Sequence, residues 1–169
     1  GSGGQAPEQM MIASTMAGLA FNNSGLGVCH GLAHSVGALF HIPHGKANSI
    51  ILPYAIAFNA GLEGYAPQPA ALARYALMCR RIGHGFGLAA EGDAEAAGRL
   101  LAAVRNLGAM FGIPASLKED GIPREDYYER MDRLAEQVLR DITTQANPVP
   151  VRKEDALRLL ADIYEGRGG

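Results

Sequence analysis

The sequence predicts an all-α fold, a multi-helix bundle of six to eight helices, and three observations lead to this prediction. Apolar residues recur at intervals of three and four over most of the 169 residues. No stretch alternates between apolar and polar residues with the period of two expected of a half-buried strand. Short segments containing proline and glycine separate the helical stretches. We therefore expect residues 1–169 to form a single helical domain.

The first two predicted helices differ in the size of their side chains. Pro7 suits the first turn of a helix that extends to about Asn22. A second helix is expected over Leu26–Phe40, where small residues such as Gly31 and Gly37 are unusually frequent. Each glycine costs about 0.5–1 kcal/mol relative to alanine inside a helix, and close approach of a neighbour offsets that cost. This helix should therefore be central and buried.

Five further helices are expected, each bounded by proline, glycine or a capping residue. The predicted ranges are about 46–59, 70–82, 93–111, 123–138 and 152–165. Pro53 lies inside the first of these and predicts a kink there. His84 lies in an expected loop, where we interpret it as structural or exposed.

Four of the five histidines fall within fifteen residues, which makes this stretch the candidate site. His30 and His34 are four residues apart and share one helix face. Pro43 should end that helix, leaving His44 in a turn that can bring it back towards His30. Imidazole binds zinc, iron, copper and nickel, although a single histidine on an apolar helix is more often structural. By spacing alone, His30 and His34 form the natural chelating pair.

One specific metal-site class can be excluded from the same residues. The zinc-protease motif HExxH requires glutamate directly after its first histidine. Here that position is Gly31. Cys29 is adjacent to His30, but neighbours on a helix point about 100° apart, so we expect Cys29 to pack structurally.

A longer motif resembles a known family. The chain contains GLGVCHGLAHSVGALFHIPHGKANSIILPYAIAFN, followed much later by TTQANP and a last helix. Both segments resemble the iron-containing (group III) alcohol dehydrogenases, whose C-terminal domain is helical. The resemblance implies metal-dependent, NAD(P)-linked interconversion of an alcohol and an aldehyde or ketone. The cofactors it implies are Fe²⁺, with zinc possible, and NAD or NADP.

Site residues carried over from this resemblance revise the pairing expected from spacing. His30 and His44 match two metal ligands, and His34 matches a catalytic histidine beside the metal. Phe21 and Thr143 match positions that line the substrate pocket. His41 falls at a variable position, so we expect it in solvent or at the pocket rim.

The resemblance covers only the second part of a family member. The family's other two metal ligands, an Asp and a His four residues later, precede this part, as does the dinucleotide-binding domain. No DxxxH motif and no GGGS-like loop occurs in the sequence. We therefore expect an inactive fragment whose partners are a small alcohol or aldehyde, the missing N-terminal cofactor domain and further copies of itself. No cofactor-binding residue can be assigned.

Two alternatives remain open at this point. The chain could be a helical interaction or scaffold module completed by a separate cofactor domain. It could also resemble the zinc polyol dehydrogenases or metal-free reductases that share this architecture.

Composition excludes several other classes of protein. The net charge is −2 with no basic stripe, which disfavours nucleic acid and anionic membranes as partners. The longest apolar runs are shorter than the ~20 residues of a membrane span, and no signal peptide is recognised. Two cysteines without a disulfide framework indicate a reduced, cytoplasmic protein. Hydrophobic residues make up 48% before the 22 glycines are counted, which suggests surface covered by another domain or subunit.

Overall fold

The computed structural model describes residues 5–83 and 90–167, and the prediction of an all-α fold is confirmed for that part of the chain. It contains nine helices and no strand within those residues. The helices are α1 (Gln5–Ser24), α2 (Val28–Phe40), α3 (His44–Ala60), α4 (Pro69–Gly83), α5 (Asp93–Met110), α6 (Arg124–Glu129), α7 (Met131–Arg140), α8 (Ile142–Gln145) and α9 (Lys153–Glu165).

The helix count exceeds the expected six to eight for two local reasons. The helix predicted over 123–138 is divided at Arg130, whose backbone (φ −101°, ψ 1°) leaves the helical region between α6 and α7. A four-residue helix, α8, follows Asp141, whose side chain accepts a hydrogen bond from the Thr143 N–H. Such an N-cap starts a helix too short to show apolar periodicity in sequence. His84 lies outside the described residues.

The reversal between α2 and α3 lies earlier in the chain than the predicted turn at His44. His41 ends α2 in the left-handed conformation (φ 56°) and donates its N–H to the Gly37 carbonyl. Pro43 precedes α3, and its carbonyl accepts the Ala47 N–H at 2.9 Å. His44 is therefore the first residue of α3, because the fixed φ of proline is compatible with the entry to a helix.

The main hydrophobic core lies between α2, α3, α7 and α9, with α2 buried at its centre as expected. Fully buried members include Leu32, Ile50, Leu134 and Leu160. A smaller cluster joins α4 to α5. Because α2 is central, small residues such as Gly31 and Gly37 determine how closely α8 and the start of α3 approach it.

Helix α1 differs from the other long helices because it has no buried residue. Among the helices of the described part, none combines the length and the apolar character needed to cross a lipid bilayer.

Candidate metal and catalytic site

Three imidazole rings converge where α2 meets the start of α3. The ring centroids lie 5.4 Å apart for His30 and His44, 5.4 Å for His34 and His44, and 5.9 Å for His30 and His34. The expected approach of His30 and His44 is thus observed. The His34 ring joins the same group, so the structure brings together both the pair favoured by spacing and the pair implied by the family motif.

The start of α2 is held by an asparagine distant in sequence. Gly27 provides no side-chain cap, and the Val28 N–H instead donates to Asn147 Oδ1 at 3.0 Å. A Cβ on Gly27 would lie 2.7 Å from that oxygen, so only glycine allows the approach. Asn147 also exchanges hydrogen bonds with Asn59 at the end of α3. This contact determines where the first turn of α2, and with it His30, sits relative to α3.

One turn later, α2 lies against α8. A Cβ on Gly31 would lie 1.9 Å from Thr144 Oγ1 and 3.6 Å from Asp141 Cβ. The absent side chain of Gly31 therefore allows the segment that begins at Asp141 to approach the histidine face of α2. This is the close neighbour that the glycine-rich composition predicted.

His34 forms the direct polar contact between these elements. Its Nδ1 lies 2.9 Å from Asp141 Oδ2, and the side chains are 41% and 18% exposed. Asp141 Oδ1 accepts from the Thr143 backbone N–H at 2.8 Å and from the Thr143 hydroxyl at 2.5 Å. Burial alone raises the pKa of Asp141, but the bonds from Thr143 and His34 outweigh it and hold the pKa below its ordinary value. The carboxyl group is therefore ionised at neutral pH.

The environment of His30 favours an uncharged ring. Burial lowers its pKa, and the neighbouring His44 and His34 lower it further, with only Asp141 acting in the opposite direction. A neutral imidazole is the form that binds a metal ion. The chemistry of this side chain thus suits a metal ligand.

His44 is supported by its own helix. The Asn48 amide donates to His44 Nε2 at 3.1 Å and to the His44 carbonyl at 3.1 Å. Asn48 Oδ1 in turn accepts from Cys29 Sγ at 3.5 Å. Burial raises the pKa of Cys29 to about 12, so the thiol stays protonated and packs structurally, as expected.

The other predicted residues occupy different surroundings. Thr143 lies beside the site, where both its N–H and its hydroxyl bind Asp141. Phe21 is 46% exposed near the end of α1, and His41 is exposed at the end of α2. The proposed roles of His30, His34, His44, Phe21 and Thr143 stay predictions.

No sequence pattern indicates a site role for Asp141 or Asn48, and Asn147 stands out only as part of the TTQANP motif. Asp141 directly precedes an Ile-Thr-Thr segment, a position typical of an N-cap, but no local pattern indicates which histidine lies opposite it. Contacts across 107 and 119 residues have no signature in a single sequence.

A cleft of about 440 Å³ opens beside His34, between α2 and α7. Its lining includes His34 and Asp141 together with Arg133 and Arg140 of α7. Phe21 is not part of this cleft.

The histidines fit part of a metal site rather than a complete one. Within residues 5–83 and 90–167, no group of three or more His, Cys, Asp or Glu residues is arranged to hold a metal ion. His34 is engaged through Nδ1 by Asp141, and His44 is engaged through Nε2 by Asn48. His30 and His44 lie on adjoining helices and are the two imidazoles that could serve as metal-ligand donors. Two such donors need ligands from elsewhere to complete the four-coordinate sphere usual for zinc, or the larger sphere open to iron.

Comparison with known proteins decides the family. The model of the Fe-containing alcohol dehydrogenase family, C-terminal, matches residues 1–164. The chain belongs to this family. The resemblance seen in the histidine motif is thereby confirmed over nearly the whole chain.

Relatives within this family include enzymes of several named activities. The chain is 37% identical over 162 residues to the NADPH-dependent butanol dehydrogenase of Clostridium saccharobutylicum, covering 96% of this chain and 39% of that protein. It is 39% identical over 171 residues to the bifunctional aldehyde-alcohol dehydrogenase of Escherichia coli K12, covering 96% of this chain and 19% of that protein. The chain therefore spans about two fifths or less of these relatives.

Solved structures of the family share the fold. The crystal structure of a 1,3-propanediol oxidoreductase superposes with a TM-score of 0.82 at 29% identity, covering 96% of this chain and 39% of that one. The iron-containing alcohol dehydrogenase of Thermococcus thioreducens gives a TM-score of 0.73 at 31% identity, covering 92% and 36%. The nine helices thus correspond to the helical C-terminal part of the iron-containing alcohol dehydrogenases.

Proposed function

We propose that this chain is the metal- and substrate-binding part of an NAD(P)-linked alcohol dehydrogenase that interconverts a small alcohol and its aldehyde or ketone. The observation that carries the proposal is the approach of His30 and His44, whose ring centroids lie 5.4 Å apart where α2 meets α3. Ligating nitrogens lie at the rims of their rings, so they can come closer than the centroids. Metal–nitrogen bonds of about 2.1 Å would place them roughly 3–3.5 Å apart.

The metal would be divalent, with iron favoured by the family and zinc the alternative. When bound, such a metal would supply Lewis-acid polarisation of the substrate oxygen, and the dinucleotide would supply the hydride chemistry. His30 and His44 would hold the metal. His34 would accept or return the alcohol proton, because the centroid of its ring lies within 6 Å of the ring centroids of His30 and His44.

The rest of the site would come from a cofactor domain, in the part of the family's longer members that these 169 residues do not cover. We therefore expect this chain alone to show no turnover with NAD(H), iron and a panel of short alcohols and aldehydes. Turnover above background by the pure chain would contradict the assignment.

A matched pair of histidines tests the metal role in the complete enzyme. His44→Asn should remove bound metal and activity together, since it removes one proposed ligand. His41→Asn is the control, because His41 is exposed and asparagine tolerates its left-handed backbone. Metal content is measured by elemental analysis, and retention of metal by His44→Asn would reassign the ligand.

One observation favours a second candidate, an interaction module without its own activity. Six large apolar side chains on α1 are 46–70% exposed, namely Met10, Met11, Ile12, Met16, Leu19 and Phe21. Exposed apolar surface of this extent is typical of a site covered by another domain or subunit. Sedimentation across a concentration series tests this candidate, and a clean monomer at high concentration counts against it.

A further inference from the structure

The contact between His34 and Asp141 joins two elements that are 107 residues apart in sequence. His34 lies in the middle of α2, and Asp141 is the N-cap of α8. The 2.9 Å bond uses one nitrogen of the ring, Nδ1, and one oxygen of the carboxylate, Oδ2. The geometry thus distinguishes Nδ1, which contacts Asp141, from Nε2, which forms no hydrogen bond with any residue of the described ranges.

The carboxylate of Asp141 is held in place by contacts that do not involve His34. Oδ1 accepts two hydrogen bonds from Thr143, and the Asp141 N–H donates to the Gln137 carbonyl at 3.0 Å at the end of α7. Its side chain is only 18% exposed. Oδ2 is therefore presented to His34 in a fixed direction and does not depend on a mobile surface side chain.

An ionised carboxylate can only accept hydrogen bonds, so the His34 nitrogen opposite Oδ2 must carry the proton. In the neutral ring, a proton on Nδ1 leaves Nε2 with its lone pair. No described residue forms a hydrogen bond with His34 Nε2. The His34 ring that carries this nitrogen lies 5.4 Å from that of His44 and 5.9 Å from that of His30, between ring centroids, and is therefore part of the histidine cluster.

We propose that Asp141 is a positioning residue that holds His34 in the Nδ1-protonated tautomer and so keeps Nε2 available as a proton acceptor at the histidine site. The catalytic consequence rests on the proposed function. The tautomer itself is a property of this chain and needs neither metal nor cofactor.

The decisive variant is Asp141→Asn, because asparagine caps a helix about as well as aspartate. Its Oδ1 can keep the bond from the Thr143 N–H, and its NH₂ then takes the place of Oδ2. A donor facing Nδ1 requires Nδ1 to accept, so the proton moves to Nε2. The variant thus reverses the tautomer while preserving the start of α8.

The tautomer is measured by ¹⁵N–¹H correlation spectra of this chain labelled at histidine, at about pH 8, where a free imidazole is neutral. In the unmodified chain, we expect the Nδ1-protonated form of His34 to exceed the other about tenfold or more. In Asp141→Asn, the ratio should reverse. An unmodified chain with Nε2 protonated, or an Asp141→Asn spectrum identical to it, would overturn the proposal.

Two more variants separate positioning from folding and from charge. Asp141→Ser retains a capping oxygen but cannot reach His34, so it should give a mixture of tautomers, and it replaces Asp141→Asn if that variant does not fold. Glu136→Gln removes one negative charge from an exposed position of α7 and should leave the tautomer of His34 unchanged. If Glu136→Gln changed the ratio of the His34 tautomers as much as Asp141→Asn does, the effect would be due to net charge and the positioning role would be refuted.

In the complete enzyme, Asp141→Asn should lower kcat about 10²-fold or more, because His34 Nε2 would then carry a proton and could not accept one from the substrate. KM should change far less, since substrate binding does not depend on that proton transfer. Unchanged kcat together with a reversed tautomer would contradict the catalytic consequence alone. A complete enzyme without alcohol dehydrogenase activity would contradict the proposed function and leave the spectroscopic result standing.

Discussion

At the residue scale, a few polar side chains act far from their sequence neighbours. Asn147 reaches the start of α2 and the end of α3, Asp141 reaches His34, and Tyr54 of α3 donates its hydroxyl to the Ala115 carbonyl at 2.6 Å. Each of these residues satisfies a polar group of another element. Together they hold the segments that carry the histidines.

Replacing Asn147 by alanine should destabilise the chain by about 2–4 kcal/mol. The side chain accepts from Val28 N–H and Asn59, and it donates to Asn59 and to the Val149 carbonyl at 2.7 Å. Its loss leaves partly buried groups unpaired. Chemical denaturation measures the change. Asn106→Ala, on the exposed face of α5, is the matched control, and its free energy of unfolding should stay within about 0.5 kcal/mol of that of the unmodified chain. Equal losses of stability in the two variants would contradict a special role for Asn147.

Tyr54 should make the free energy of unfolding depend on pH in the alkaline range. Burial raises its pKa from the ordinary 10.0 to about 12. Because the folded pKa exceeds the unfolded value, the contribution is complete below pH 10 and is lost as the pH rises towards 12. Tyr54→Phe should cost about 1 kcal/mol at pH 7 through the lost hydrogen bond. The difference in unfolding free energy should then narrow by about 1 kcal/mol per pH unit above pH 10. A constant difference from pH 8 to 11 would show that Tyr54 is not buried in this way.

At the element scale, α2 can approach its neighbours because it lacks side chains at chosen positions. Gly27 allows Asn147 to approach, and Gly31 allows Thr144 to approach. Gly27 is the N-cap, where glycine is well tolerated, but at Gly31, inside α2, helix propensity alone favours alanine. The packing against α8 and the following loop outweighs that preference.

Gly31→Ala should therefore destabilise the chain by about 1–3 kcal/mol, because the new Cβ would lie 1.9 Å from Thr144 Oγ1. Gly98→Ala in α5 is the control. Nothing lies within 4 Å of a Cβ there, so that variant should gain about 0.5–1 kcal/mol. Thermal and urea unfolding distinguish the two signs.

Adding Thr144→Ala to Gly31→Ala tests the cause. It removes the clashing hydroxyl, which has no hydrogen-bond partner among the described residues. The double variant should regain at least half of the unfolding free energy lost in Gly31→Ala, although the Cβ atoms at positions 31 and 144 would still lie close together. Strict additivity of the two single variants would place the strain elsewhere.

At the scale of the whole molecule, burial is uneven. The core joins α2, α3, α7 and α9, whereas α1 buries no residue at all. In proteins, most of the stability of a helix comes from tertiary packing of its apolar face rather than from helix propensity. We expect the amides of α1 to exchange with solvent much faster than those of α3.

Two leucines test this difference in stability. Leu32→Ala, at a fully buried position of α2, should cost about 2–5 kcal/mol. Leu19→Ala, at a position of α1 that is 65% exposed, should change stability by less than about 0.5 kcal/mol. Hydrogen exchange on a monomeric sample gives the second readout. Protection of α1 equal to that of α3, or a large cost for Leu19→Ala, would show that α1 packs on the core.

The sequence by itself determined the helical class, most helix positions, the family and the cluster of His30, His34 and His44. These depend on apolar periodicity, on proline and glycine near helix ends, and on a long contiguous motif, all of which are local. The sequence could not determine that α3 begins at His44, that α6 and α7 divide at Arg130, or that α1 is exposed. Only the tertiary structure decided that Asp141 faces His34 and that Asn147 caps α2. Those contacts depend on the packing of α7, α8 and the following loop against α2, and no single stretch of sequence specifies how distant helices meet.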